Sequence, residues 1–348
     1  MKILFIGEHD GIHGLLAREM RRSGDQVTLI APGGDLTLPD ANGFFGRYKL
    51  LYRIMQLLPD MKGYDRVQLA RTEFFGLKPG RLSYLLRELK RNNGHVSLTL
   101  GSPDCFMVEA AVKEDLFRFS AYRVGKEKTP AVRMFPDMEY GPMMRESRDY
   151  ARYLYSQVDS AVAMRPEDAI ASGKALGEKM VSVPMPVVAS STRSRDGGKV
   201  RLISGGSPDV MVGCGRDILR RVAKEVEKRC PDVCEAVDCM PEEAFQTGGP
   251  AIFLADFYSY SPSADALRAM SGGIAVVSGN QPEYADFVQA DVPVPVITAA
   301  PGMEEALTEQ LCGLVNDWEA VIRLGEESRN FVMRHHPSER VLKLFRSI

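Results

Sequence analysis

The stretch Ala251–Phe287, AIFLADFYSYSPSADALRAMSGGIAVVSGNQPEYADF, contains the signals of a ligand-binding turn. Its opening apolar run, Ala251 to Ala255, predicts a buried strand, and Ser263 to Met270 predicts a short helix with Ala266, Leu267 and Met270 on its inner face. Gly272-Gly273 stops that helix, and Ile274 to Val277 predicts the next strand. Between the first strand and the helix lies Ser259-Tyr260-Ser261-Pro262-Ser263, where proline fixes φ and serine caps a helix start. Strand, turn, helix and strand in this order make a parallel βαβ unit. The helix then begins at the carboxyl edge of the sheet, where backbone N–H groups such as those of Ser263 and Ala264 are aimed at an anion.

Outward from this unit the same grammar recurs. Lys2 to Ile6 predicts a first strand, Leu15 to Ser23 a helix and Gln26 to Ile30 a second strand, with Gly7, Gly11 and Gly14 in the turn. The spacing is G-x-x-x-G-x-x-G, so the dinucleotide fingerprint GxGxxG is absent and a dehydrogenase loses ground. Strands are expected at Tyr64 to Leu69 and Val96 to Leu100, the second running into the turn Gly101-Ser102-Pro103-Asp104. That turn puts Asp104 at a carboxyl strand edge. Ala189 to Gly198, ASSTRSRDGG, has the composition of a solvated linker, which sets a domain boundary near residue 188. Beyond it Val200 to Ile203 predicts a strand, Ser204 to Pro208 its turn and Arg216 to Cys230 a helix. A short helix is expected at Pro241 to Phe245.

Length and composition bound the function. A chain of 348 residues with 45% hydrophobic residues predicts two packed domains. A net charge of −2 gives no general reason to expect nucleic acid. Six cysteines occur without a CxxC pair, and His335-His336 are adjacent, so their side chains diverge; no metal site is expected. No signal peptide or membrane-spanning run is visible, which predicts a reduced, soluble, cytoplasmic protein. Residues 44–58, FFGRYKLLYRIMQLL, predict an amphipathic helix with Leu50, Leu51, Ile54, Leu57 and Leu58 on one face. This segment is the candidate for peripheral contact with the inner face of a membrane.

The turn before the helix, the run Ala266-Leu267-Arg268-Ala269-Met270-Ser271-Gly272-Gly273 and the following Pro282-Glu283-Tyr284 resemble the donor-sugar motif of retaining GT-B glycosyltransferases of the group 1, family 4-like type. The resemblance implies an α/β fold of two Rossmann-like, doubly wound domains facing a cleft. Residues 1–188 with a crossover helix in 335–348 would form the acceptor domain, and 189–334 the donor domain. It implies transfer of a sugar from a nucleotide diphosphate donor to a hydroxyl on a glycan or lipid-linked acceptor in polysaccharide biosynthesis, without cofactor or metal.

Donor contacts would come from Gly205, Gly206, Ser207, Arg216, Tyr260, Ser263, Ala264 and Arg268. Catalytic roles would fall to Asp104, Arg268 and Glu283, and the cleft loop would hold Gly11, His13 and Gly14. The motif departs from the family at four places. Tyr260 and Arg268 stand where two glutamates with seven residues between them are usual. Gly206 or Ser207 takes the place of an arginine, and Cys214-Gly215 that of a Lys-Gly pair. Arginine donates hydrogen bonds but accepts none, so Arg268 cannot bind a sugar hydroxyl as glutamate does; Arg216 and Arg268 could instead supply the phosphate charge. The alternative is a non-catalytic relative acting as a scaffold in such a pathway. A nucleotide-sugar epimerase using His9, Asp10, His13 and Asp104 is a third reading.

Overall fold

The computed structural model describes residues 1–39, 43–101, 103–113, 116–190, 197–239 and 248–348. Most of the predicted linker, residues 191–196, and the helix expected at Pro241 to Phe245 lie outside the described residues. The chain forms two compact units. One contains Met1–Glu109, Tyr140–Pro186 and Ser338–Ile348; the other contains Ala110–Glu139 and Val187–Pro337. The sequence reading kept 110–139 with the first half of the chain, whereas in the structure this segment packs with the second unit. Its own local pattern does not encode which core its phenylalanines join.

The first unit is built on strands β1 (Lys2–Ile6), β2 (Gln26–Ile30), β3 (Arg66–Leu69), β4 (His95–Thr99), β5 (Ser160–Ala163) and β6 (Met180–Ser182). They form one parallel sheet in the order β2-β1-β3-β4-β5-β6. Ile3, Leu4, Phe5 and Ile6 are all fully buried, as a strand covered on both faces requires. The helices that matter below are α1 (Ile12–Arg22), α2 (Gly43–Leu57), α3 (Pro79–Asn92), α4 (Cys105–Val112), α5 (Arg145–Gln157) and α6 (Pro166–Leu176).

The second unit has strands β7 (Val200–Ser204), β8 (Cys234–Asp238), β9 (Ala251–Leu254), β10 (Ala275–Ser278) and β11 (Ile297–Thr298) in the parallel order β8-β7-β9-β10-β11. Its helices include α7 (Arg216–Arg229), α8 (Ala264–Ser271), α9 (Pro282–Val288) and α10 (Trp318–His335). Leu219, Val222, Ala223 and Val226 of α7 share a buried apolar cluster with Leu202, Ile252, Leu254, Ala275 and Val277 of the sheet. The last helix, α11 (Ser338–Arg346), belongs to the first unit, where Phe345 stacks on Phe5 at 6.0 Å and its carbonyl accepts from buried Arg66.

In both sheets the chain winds one way and then the other, and the order reverses between β1 and β3 and again between β7 and β9. Ligands of open α/β sheets bind at the carboxyl ends of the strands at such reversals. The Gly7–Gly11 turn leaves the end of β1; His13 and Gly14, expected in this loop, lie in the first turn of α1. The Gly205-Gly206 turn and the loop 255–263 leave the ends of β7 and β9.

Candidate functional site

In the second unit both switch-point loops are built around one cation. Arg216 is 1% exposed, and each of its three nitrogens donates inward. Nε reaches the Ala255 carbonyl at 2.7 Å, Nη1 the Gly205 carbonyl at 2.9 Å and Nη2 Asp265 Oδ2 at 2.9 Å. Burial works against this charge, but Asp256 and Asp265 outweigh it and hold the guanidinium above its ordinary pKa. The sequence reading aimed Arg216 at a diphosphate. The structure corrects this: the side chain is spent on the two turns and α8, fastening them together.

Around that bolt the helix start is capped as expected. Ser263 Oγ accepts from Ala266 N at 3.4 Å, and Ser263 N donates to Asp256 Oδ2 at 3.0 Å, an atom that also takes the Ser278 hydroxyl at 3.0 Å. The amides of Ala264 and Asp265 open the first helical turn, where helix geometry provides no intrahelical acceptor. Arg268 follows one turn on, 45% exposed, ion-paired with Asp265 Oδ1 at 3.0 Å. Asp265 therefore sits between two arginines, and the buried Asp256 contributes a second negative charge. The surplus of positive charge expected from the sequence is cancelled within this cluster.

The glycines of the first turn are dictated by contact. A Cβ on Gly205 would lie 1.9 Å from the Cys239 carbonyl oxygen, and one on Gly206 would press on Arg216 Nη1 at 3.3 Å. Ser207 is exposed and caps the helix Pro208–Gly213 with no side-chain bond.

Tyr260 is not presented to a ligand. It is 2% exposed, with Phe117 and Phe119 against its ring at 5.6 and 5.1 Å, and its hydroxyl accepts from Arg118 N at 2.6 Å. The Arg118 guanidinium lies 5.0 Å over the same ring and donates to Glu283 Oε2 at 2.9 Å and Gln281 Oε1 at 3.1 Å. Glu283 lies in the first turn of α9.

In the first unit the turn after β1 is closed by its own carboxylate. Glu8 Oε1 accepts from the amides of His9 and His13, and Oε2 from that of Gly14, all at 2.8 Å. Gly11, at φ +78°, caps α1, and a Cβ on Gly14 would stand 3.1 Å from Glu8 Oε2. His13 is fully buried in a polar ladder. Arg66 donates to Gln68 Oε1, Gln68 Nε2 donates to Thr99 Oγ1 at 2.9 Å, and Thr99 in turn meets His13 Nε2 at 2.9 Å. The Gly7 carbonyl, 3.0 Å from His13 Nδ1, can only accept, so the proton of the neutral ring is on Nδ1 and Nε2 accepts the Thr99 hydroxyl proton. Burial pushes the His13 pKa down to about 3, consistent with this neutral tautomer.

Asp104 is corrected in the same way. It is buried, with Oδ1 accepting from the amides of Phe106 and Met107 at 3.0 and 3.1 Å, and Oδ2 from the Tyr155 hydroxyl at 2.6 Å and the Thr72 hydroxyl at 3.3 Å. It starts α4 and ties it to α5. Burial raises its pKa, opposed by these hydrogen bonds.

Sequence reasoning named His9 and Asp10 but missed Asp168, Arg165, Arg118 and Asp256. Asp168 is buried and bound by Arg165 Nε and Nη2 at 3.1 and 2.9 Å. A Cβ on Gly101 would touch the His9 ring at 2.8 Å and lie 3.6 Å from Asp168 Oδ2, so His9 and Asp168 flank one point at the sheet edge. Asp10 adjoins them with φ +50°, a strained conformation for a residue with a side chain. A "Pro-Glu-Asp" helix start was the only local signal for Asp168; nothing local pointed to Arg118 or Asp256. Among the described residues no three His, Cys, Asp or Glu side chains gather as a metal site, and no helix is long and apolar enough to cross a membrane.

Two parallel, doubly wound sheets with ligand-type loops at their reversals, followed by a last helix that returns to the first unit, make this a GT-B fold. Solved structures with the same fold bear this out over the full chain. HepE of Anabaena in complex with UDP-glucose matches with a TM-score of 0.60 at 10% identity, covering 100% of this chain and 99% of its own. Sucrose-phosphate synthase from Thermosynechococcus elongatus gives 0.58 at 11%, covering 100% and 99%. TarM of S. aureus, in a complex with fondaparinux, α-GlcNAc-glycerol and UDP, gives 0.55 at 11% over 85% of this chain. The chain spans 58% of TarM's length. No family profile and no curated protein matches the sequence.

Proposed function

We propose that the chain is a retaining glycosyltransferase that moves a sugar from a nucleotide diphosphate donor to a hydroxyl of a glycan or lipid-linked acceptor in polysaccharide biosynthesis. What supports it most is full-length likeness to a GT-B protein that carries UDP-glucose, combined with a capped helix start at the second sheet's reversal. In this reading the second unit, Ala110–Glu139 with Val187–Pro337, serves the donor, and the first unit serves the acceptor.

The donor diphosphate settles against the first turn of α8, taking the amides of Ala264 and Asp265 and drawing Arg268 from its carboxylate partner to a phosphate oxygen. Gly205 and Gly206 line the approach. Arg216 acts as the frame that keeps both turns in place. When the bond from the anomeric carbon to the diphosphate oxygen breaks, the departing oxygen keeps the electron pair. Helix amides and Arg268 stabilise its charge without need of metal or cofactor. The acceptor oxygen bonds to the anomeric carbon, and its proton passes to the departing diphosphate. Glu283, oriented by Arg118, offers a carboxylate to a sugar hydroxyl. The protein works in the cytoplasm, with residues 44–58 touching the membrane surface.

Thermal denaturation with UDP, ADP, GDP and their glucose conjugates tests this. Ligand at about a hundred times its Kd adds about 2.7 kcal/mol, a shift of several degrees, and Arg268→Ala should abolish it. No shift with any nucleotide overturns the reading. A second reading, a non-catalytic binding relative, is favoured by one specific observation: Arg216 and Tyr260 are both committed to internal partners. A donor-induced shift without sugar release or transfer selects it.

A further inference from the structure

The helix α2 has two apolar faces, one buried and one exposed. Leu50, Ile54 and Leu57 are buried at i, i+4 and i+7, which absorbs the aliphatic stripe visible in the sequence. Phe45, Tyr48, Tyr52 and Met55 recur at i, i+3, i+7 and i+10 and are 77%, 58%, 68% and 51% exposed. At 3.6 residues per turn these four fall within about 80° of arc, roughly opposite the buried face. Arg47 falls on one side of the exposed stripe, and Lys49 and Arg53 on the other. The helix carries these three cations and no carboxylate, in a chain whose net charge is −2.

Beside the stripe, Arg47, Tyr48 and Leu51 form one wall of a groove of about 440 Å³. Lys78, Gly80 and Arg81 at the start of α3 line its other side, and Glu146 is its one acid.

We propose that this face of α2, with the groove beside it, is a docking surface for an anionic lipid bilayer. An exposed aromatic stripe flanked by cations enters the boundary between headgroups and acyl chains, with rings at the interface and cations at lipid phosphates. Charge complementarity selects the occupant: the helix carries Arg47, Lys49 and Arg53 and no carboxylate, and among the described residues lining the groove Arg47, Lys78 and Arg81 outnumber the single acid Glu146. The inference sharpens the membrane contact proposed above by moving it from the leucine face to the aromatic one. It does not depend on donor binding, because its test uses no nucleotide.

Sedimentation of the full-length protein with vesicles of phosphatidylcholine alone, or with about a third phosphatidylglycerol, reads the interaction. Binding is expected only to the anionic vesicles and should weaken with salt. Removing one cation, as in Lys49→Gln or Arg53→Gln, should lower partitioning about fivefold, and Phe45→Ser with Tyr52→Ser should abolish it. Phe45, Lys49 and Tyr52 are exposed and Arg53 is half-buried on the helix surface, so the variants should melt close to the wild-type temperature. In a Trp318→Phe background, Tyr52→Trp should shift its emission to the blue when anionic vesicles are added. Equal binding by all variants, no binding by the wild type, or self-association lost in the Tyr52→Ser variant overturns the proposal. The last outcome would make the face an interface between two copies of the chain.

Discussion

Arg216 Nη2 lies 2.9 Å from Asp265 Oδ2, and Asp265 Oδ1 lies 3.0 Å from an Arg268 nitrogen, so one carboxylate bridges a buried arginine and an exposed one. The two arginines have different tasks. Arg216→Ala strands the Ala255 and Gly205 carbonyls and one face of Asp265, and should cost about 3–5 kcal/mol. Arg268→Ala breaks a solvated pair and should cost under about 1 kcal/mol. Urea midpoints of the two variants check the contrast, and equal losses would refute it.

Asp265 also repels any anion approaching the first turn of α8. Asp265→Asn should therefore strengthen nucleoside diphosphate binding by about fivefold, equivalent to about 1 kcal/mol, while lowering stability because Arg216 loses its charged partner. Calorimetric titration with UDP reads the affinity. Weaker binding in the variant would show that the carboxylate helps to position the donor.

Buried His13 makes stability depend on pH. Its folded pKa, about 3, lies below the value of 6.5 for an unfolded histidine, so the unfolded chain takes up a proton that the folded chain refuses. The stabilisation is complete above pH 6.5 and is lost as the pH falls towards 3, by at most on the order of 5 kcal/mol. Asp104 has the opposite sign. Its folded pKa is raised above 3.8, so its contribution is present below that pH and fades as the pH rises through the folded value. Urea titrations between pH 7 and 4 should show a shallower loss for His13→Gln than for the wild type. Parallel slopes would rule out the buried neutral imidazole.

Gly325 of α10 crosses the Gly273 turn so closely that a Cβ would lie 2.1 Å from the Gly273 carbonyl oxygen. Gly273 itself holds φ +76°. Gly325→Ala should separate α10 from β10 and cost several kcal/mol, whereas Gly213→Ala, with nothing within 4 Å, should be nearly neutral. Melting temperatures of the two variants decide it.

Much of the architecture was legible because strand interiors such as Phe5 and Val277 sit in continuous apolar runs, and helix ends were marked by Ser263, Gly272 and Pro166. The linear pattern named Arg216 but not its direction. A guanidinium turns inward only when carbonyls far apart in sequence, here Gly205 and Ala255, converge on it. The same applies to Asp104, whose partners Thr72 and Tyr155 come from distant elements. Tyr260 resembled a ligand contact in sequence because its cover, Phe117 and Phe119, lies some 140 residues earlier. Polar residues that serve tertiary packing and those that serve a ligand share the same turn grammar; only the count of satisfied atoms separates them.

The segment 110–139 makes the second unit discontinuous, since the chain enters it at residue 110, leaves after 139, and returns at 187. During synthesis the early piece emerges from the ribosome long before the sheet it will cover. An excised fragment starting at 187 would leave the Tyr260 ring bare of its two phenylalanines and Glu283 without Arg118. Cloning boundaries drawn at the linker would thus yield a sticky, incomplete product, and a soluble half-protein must carry 110–139 spliced back in.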